Sequence, residues 1–86
     1  MPRLSEFHGI VIQMFHSDHP PLHFHATYGE HGATFGIDPI TRLDGRLPKN
    51  AERMVLEWAK AHQAELLENW ALARDLQPLR SIEPLP

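Results

Sequence analysis

The chain has 86 residues, no cysteine and a net charge of −3 at pH 7 with its histidines neutral. This length predicts a single domain over residues 1–86, because two cores of half the size would each be too small to fold unaided. The missing cysteine excludes disulfides, thiolate metal sites and cysteine nucleophiles, and the charge gives no basic footprint for strong, non-specific nucleic-acid binding. No apolar run approaches the roughly 20 residues that cross a bilayer, so we expect a cytoplasmic protein without a membrane partner.

Residues 1–47 are predicted to be rich in strands. Residues 7–15 combine β-branched and aromatic types and end at a polar turn, which indicates a first strand. Residues 23–28 and 33–37 predict two more strands, joined by a four-residue turn with glycine at both ends. Residues 40–43 predict a short fourth strand that leads into a turn. The prolines between the first two strands predict a rigid connection.

Residues 48–77 change to the period of a helix, with apolar residues recurring at spacings of three and four. Because such a stretch is longer than an average helix, we expect a break near residues 61–63, giving two packed helices or one kinked helix. The tail, residues 78–86, predicts either a short edge strand or a cover for the core. The fold class is therefore α+β, with a small antiparallel sheet of three to four strands packed against the helical half.

Six of the seven histidines lie between residues 8 and 31. His23 and His25 are two apart in a predicted strand, so both side chains project from one face with their Cα atoms roughly 6.5 Å apart. Asp18 and His19 lie in the preceding loop and are candidates for the remaining ligands. This set of side chains suits a divalent metal such as zinc.

The same residues offer acid–base chemistry without a metal. Two imidazoles can act as base and acid near neutral pH, which makes His23 and His25 candidate catalytic residues, with Tyr28 beside them. Arg42 and Arg46 are candidate substrate-binding residues for a phosphate, and cleavage of an RNA phosphodiester is a reaction that fits such a set. In a third interpretation the histidines are structural. The residue pattern alone leaves all three open.

Residues 18–29 read DHPPLHFHATYG and resemble the hallmark D-H-x-P-P-H-F-H-A-x-Y-G of a bacterial family, domain of unknown function 4160. The helical residues 56–70 and the C-terminal residues 78–85 are also similar to that family, so the resemblance covers nearly the whole chain. Two positions depart from it. Leu22 replaces the second proline of the pair, and Leu76 stands where the family often has glycine, which removes an easy left-handed helix stop.

The resemblance implies a prokaryotic protein of unassigned activity. Members of the family resemble components of two-gene modules, which suggests a toxin–antitoxin-like protein whose histidine-rich site acts on or binds RNA. Its expected partner is then a small protein encoded nearby, with a homodimer as a further expectation. The alternative is a non-enzymatic module that binds a partner or a metal, in which the histidines are structural residues or ligands. Whether the chain is an enzyme stays open at this point.

Overall fold

The computed structural model describes residues 3–16 and 18–86. These residues form five strands followed by two helices: β1 (Arg3–Phe7), β2 (Ile10–Gln13), β3 (His23–Tyr28), β4 (His31–Ile37), β5 (Ile40–Arg46), α1 (Lys49–Ala61) and α2 (Gln63–Arg74). Every neighbouring pair of strands is antiparallel, in the order β1-β2-β3-β4-β5. The predicted α+β class is confirmed, whereas the predicted count of three to four strands is wrong.

The additional strand comes from a turn inside the predicted first strand. His8 and Gly9 have φ angles of 50° and 80°, and two consecutive positive φ angles are typical of a two-residue hairpin turn. Phe7 therefore pairs with Ile10 across this turn. Residues 7–15 have an almost continuous strand composition, so the pattern did not reveal that the chain reverses within them.

The last strand is longer than predicted. Residues 44–46 continue β5 instead of forming a turn, and Gly45 pairs with Ala33 of β4. A Cβ atom on Gly45 would lie 2.8 Å from the Cα atom of Ala33, so only glycine fits this close approach of two backbones.

The helices cover one face of the sheet. The core on that face includes Phe24, Phe35 and Trp58, which are fully buried. The Phe24 and Phe35 rings are stacked with centroids 5.6 Å apart, and the α1 residue Trp58 meets Phe24 edge-on at 5.9 Å. The helical half therefore packs on the sheet as predicted.

The other face of the sheet carries polar side chains. Gln13, His25, Thr34 and Asp44 lie in register across β2, β3, β4 and β5. None of the four is buried. We call this side, which also carries His23, the open face.

The helical half divides where the pattern predicts. The break lies at His62, between α1 and α2. Leu76 follows α2 and has a φ of 57°. The chain therefore keeps a left-handed residue after the helix, although we expected the replacement of glycine by Leu76 to remove it. Within residues 3–16 and 18–86, neither helix is long and apolar enough to cross a membrane.

The tail covers the core without forming a strand in the described residues. Ile82 is buried, and its backbone N–H donates to the carbonyl oxygen of Leu4 over 2.7 Å. The indole N–H of Trp58 donates to the carbonyl oxygen of Glu83 over 2.8 Å. Of the two predictions for residues 78–86, the structure shows the cover and not the edge strand.

Candidate metal centre

Asp18, His23 and His25 come together at the open face. One potential ligand atom of each lies within 4.8 Å of the others. The Nε2 atoms of His23 and His25 are 2.9 and 3.3 Å from the same carboxylate oxygen, Oδ2 of Asp18. The alternation of β3 puts both histidines on one face, and the loop before β3 brings the carboxylate to them. We refer to these three residues as the Asp18 cluster.

The backbone fixes the ring of His23. Its Nδ1 atom lies 2.6 Å from the carbonyl oxygen of Pro21. A carbonyl oxygen only accepts hydrogen bonds, so Nδ1 carries the hydrogen and Nε2 faces Asp18. The ring also packs against Trp70, with centroids 5.2 Å apart, and only 11% of the side chain is exposed. Metal-binding histidines are commonly oriented by such a hydrogen bond from the second ring nitrogen.

His25 is more accessible than His23. Its ring lies 4.5 Å from the ring of Phe15, and its Nδ1 atom is 3.5 Å from the hydroxyl oxygen of Thr34. A cavity of about 200 Å³ begins at His25 and extends over the open face towards Asp44. Four polar residues and four small residues line it, and His25 is the residue that it shares with the Asp18 cluster, so a ligand in this cavity would reach the cluster at His25. The full lining is His25, Ala26, Thr27, Gly32, Ala33, Thr34, Asp44 and Gly45.

Hydrogen bonds stabilise the charge of Asp18. Partial burial acts to raise the pKa of this carboxyl group, but hydrogen bonds from His25, from the backbone N–H of His19 and from His23 outweigh that effect and hold the pKa below its usual value. Asp18 is therefore an anion at neutral pH. Its Oδ2 atom and a neutral Nε2 atom are both acceptors, so their close approach requires a proton or a cation between them.

Four predicted site residues lie outside the Asp18 cluster. His19 contributes only its backbone N–H, which donates to Oδ1 of Asp18 over 3.0 Å. Tyr28 is four residues from Phe24 and two from Ala26 along β3, so its side chain projects from the same, core-facing side of the strand. It does not lie beside His25, which projects from the other side. Arg42 and Arg46 line a separate groove between β5 and α1.

Sequence reasoning did not identify three neighbours of the cluster: Phe15, Thr34 and Asp44. The signal for Thr34 and Asp44 lies in strand pairing, because Thr34 is opposite His25 and Asp44 is opposite Thr34. In the structure the turn between β3 and β4 has two residues, so Tyr28 pairs with His31 and His25 with Thr34. The predicted turn of four residues would pair Tyr28 with Ala33, and His25 would then lie opposite Gly36. Nothing in the pattern indicated the contact of Phe15 with His25.

Comparison with protein families identifies residues 9–71 with the family described as "Domain of unknown function (DUF4160)". The matched segment is 63 of the 86 residues and includes the whole Asp18 cluster. Neither the curated proteins nor the solved structures contain a significant match to this chain.

Proposed function

The chain belongs to the DUF4160 family, whose description assigns no activity, and we propose from the geometry of its own site that it binds one divalent metal ion through Asp18, His23 and His25. The observation that carries this proposal is the approach of both Nε2 atoms to the Asp18 carboxylate. With a hydrogen on Nδ1, His23 meets the Asp18 carboxylate through Nε2 either as a proton donor or, once that proton is lost, with a lone pair that can coordinate a cation. A bound cation would take the place of that proton and be coordinated by three ligands.

Zinc is the ion we expect. Two imidazoles and one carboxylate match the ligand types of catalytic zinc sites, which keep one further position for water or a substrate. The cavity that begins at His25 lies on the same face of the sheet, and it offers room for such a ligand. The same ligand types also bind iron(II) and nickel, so these ions are compared in the same experiment.

The geometry supports a metal site better than metal-free acid–base catalysis. A general base or acid needs a ring nitrogen directed at the substrate, but both Nε2 atoms face Asp18 and the Nδ1 atoms face Pro21 and Thr34. The approach of both Nε2 atoms to one carboxylate oxygen therefore favours the interpretation of the two histidines as ligands of one centre. A toxin–antitoxin-like role and action on RNA stay predictions from the family resemblance.

The test is a titration of the tag-free, metal-stripped chain with zinc, nickel and iron(II), followed by elemental analysis after removal of unbound metal. We expect one zinc per chain in the wild type and none in His25→Ala or Asp18→Asn. His31→Ala is the matched control, because His31 is exposed at the start of β4 and lies outside the cluster. It should bind zinc as the wild type does.

Circular dichroism identifies variants that retain the fold, and only these enter the comparison. Full zinc content in a folded His25→Ala protein would contradict the proposal. The absence of all three metals from the titrated wild type would contradict it equally.

A further inference from the structure

A second site lies between β5 and α1, away from the Asp18 cluster. It is a groove of about 840 Å³ whose apolar floor includes the exposed Pro48 and the partly exposed Leu56, with the buried Leu47 beneath them. Lys49, Arg53, Leu56 and Lys60 follow each other at spacings of four, three and four along α1, so they form one stripe. The buried stripe of α1 is a different one and contains Val55 and Trp58. We call this site the basic groove.

The basic groove concentrates the positive charge of the chain. Five of the eight Lys and Arg residues line it, against two glutamates, which gives a local charge of +3. The whole chain has a net charge of −3, so the rest of the molecule carries −6. The charged lining residues are Arg42, Arg46, Lys49, Glu52, Arg53, Glu57 and Lys60.

Most of these cations lack an acidic partner. Arg3, Arg74 and Arg80, which lie outside the groove, each pair with a carboxylate. Inside the groove, Arg42 pairs with Glu52 over 3.0 Å. The other four cations make no ion pair within residues 3–16 and 18–86; they are Arg46, Lys49, Arg53 and Lys60.

The start of α1 adds to the positive potential. The helix begins at Lys49 after Pro48, and no described side chain caps its first turn. Uncapped N–H groups give a helix N-terminus a partial positive charge that attracts anions. An anionic ligand in the groove would therefore meet four side-chain cations that make no ion pair with a described residue and the positive end of the α1 helix dipole.

We propose that the basic groove binds an acidic amphipathic helix of a partner protein. The apolar side of such a helix would cover Pro48 and Leu56, while its carboxylates would pair with the four cations of the lining that make no ion pair among the described residues. This arrangement corresponds to recognition of an amphipathic helix in a groove, in which apolar anchors supply affinity and flanking charges supply orientation. The site is separate from the Asp18 cluster, so the proposal does not depend on metal binding.

The lining also distinguishes this ligand from RNA. Proteins that bind single-stranded RNA stack its bases on aromatic side chains, and the groove lining contains no aromatic residue among the described side chains. The aliphatic floor is instead suited to leucine-like anchors.

The experiment uses fluorescence anisotropy with the full chain and a labelled 18-residue peptide that has leucines along one helical face and glutamates on the other. The control probes are the scrambled peptide, the same peptide with lysine replacing glutamate, and a single-stranded RNA dodecamer. We expect the amphipathic acidic peptide to bind at least about tenfold more tightly than each control probe. Binding should weaken as salt increases, because exposed charges are screened.

Two variants connect binding to the groove. Arg53→Glu should weaken peptide binding about tenfold, whereas Arg74→Glu, the same charge reversal on α2 outside the groove, should change it less than about twofold. Equal binding of the scrambled peptide, tighter binding of the RNA, no binding of the acidic peptide or no effect of Arg53→Glu would each overturn the proposal. So would light scattering that shows a dimer dissociated by Arg53→Glu, because a second copy would then occupy the groove.

Discussion

His23 faces Asp18 through a single pair of atoms, Nε2 and Oδ2, at 2.9 Å, while its other ring nitrogen donates to the carbonyl oxygen of Pro21. Because Pro21 fixes the hydrogen on Nδ1, the space between Nε2 and Oδ2 accommodates either a proton or a metal ion. The proton-bridged state and the metal-bound state should differ in their free energy of unfolding. Unfolding measured with a chelator reports on the first state, and unfolding measured with added metal reports on the second.

Metal binding should stabilise the fold. An ion that binds only the native state at 100 times its dissociation constant raises the free energy of unfolding by about 2.7 kcal/mol. We expect urea unfolding of the wild type to show an increase of this size with zinc compared with a chelator. Asp18→Asn should show none, and the control His31→Ala should match the wild type. An equal zinc effect in Asp18→Asn would show that the ion acts at another site.

Without metal, Asp18 should make stability depend on acid pH. Hydrogen bonds from His25, His19 and His23 outweigh burial and lower the pKa of Asp18 in the folded protein. The carboxylate therefore stabilises the fold fully above the usual Asp pKa near 4, and this contribution is lost as the pH falls through the lower folded value. In a chelator, we expect the wild type to lose more stability than Asp18→Asn as the pH falls from about 5 to about 2.

The control for this pH profile is Asp75→Asn. The Asp75 side chain is 66% exposed, and its contact with Arg74 is a long one of 3.8 Å. Its variant should follow the wild-type profile. Parallel profiles for the wild type and Asp18→Asn would contradict the role assigned to the hydrogen bonds of Asp18.

Strand alternation explains why part of the candidate site was predictable. The two-residue period of β3 is a local property, and it puts His23 and His25 on one face without knowledge of the remaining fold. The predicted break at residues 61–63 depended likewise on a local pattern. Asp18 was predictable as a neighbour because only four residues separate it from His23.

The remaining features depend on where turns begin and on how consecutive elements pack together. The turn at His8 and Gly9 is marked in the sequence by a single glycine, and the pairing of His25 with Thr34 depends on the length of a turn. The sequence shows a concentration of basic residues at Arg42, Arg46, Lys49 and Arg53, which is typical of a solvated turn and helix start. That these residues line one groove depends on the packing of α1 beside β5. A sequence pattern records periodicity, but it does not record which faces pack together.

Asn69 should hold the tail against α2. It is 2% exposed, its side-chain amide donates to the carbonyl oxygen of Arg80 over 3.0 Å, and its side-chain oxygen accepts the backbone N–H of Arg80 over 2.8 Å. Asn69→Ala removes both hydrogen bonds and should lower the free energy of unfolding by about 2–3 kcal/mol. Urea unfolding measures this loss. Hydrogen exchange at the Ile82 amide, which donates to Leu4, should become faster.

Asn50→Ala is the matched control for Asn69, because Asn50 is exposed in the first turn of α1. Its effect on stability should stay within about 0.5 kcal/mol. If Asn69→Ala lost stability without faster exchange at Ile82, Asn69 would support α2 alone and not the tail.

Leu76 should be a position at which glycine stabilises the protein. Its φ is 57°, and the N–H groups of Leu76 and Gln77 donate to the carbonyl oxygens of Ala73 and Leu72. These bonds form a Schellman motif, in which the left-handed residue is usually glycine. A left-handed conformation costs an L-residue roughly 1–2 kcal/mol, and part of this is offset by the larger unfolded-state entropy of glycine.

We therefore expect Leu76→Gly to raise the free energy of unfolding by roughly 0.5–1 kcal/mol. Little apolar burial is lost, because 67% of Leu76 is exposed. Asp75→Gly is the control: Asp75 is adjacent but has a φ of −88°, so glycine there relieves no strain and should give no gain. Thermal and urea unfolding measure both variants. A Leu76→Gly protein no more stable than Asp75→Gly would show that the left-handed conformation of Leu76 costs the fold nothing.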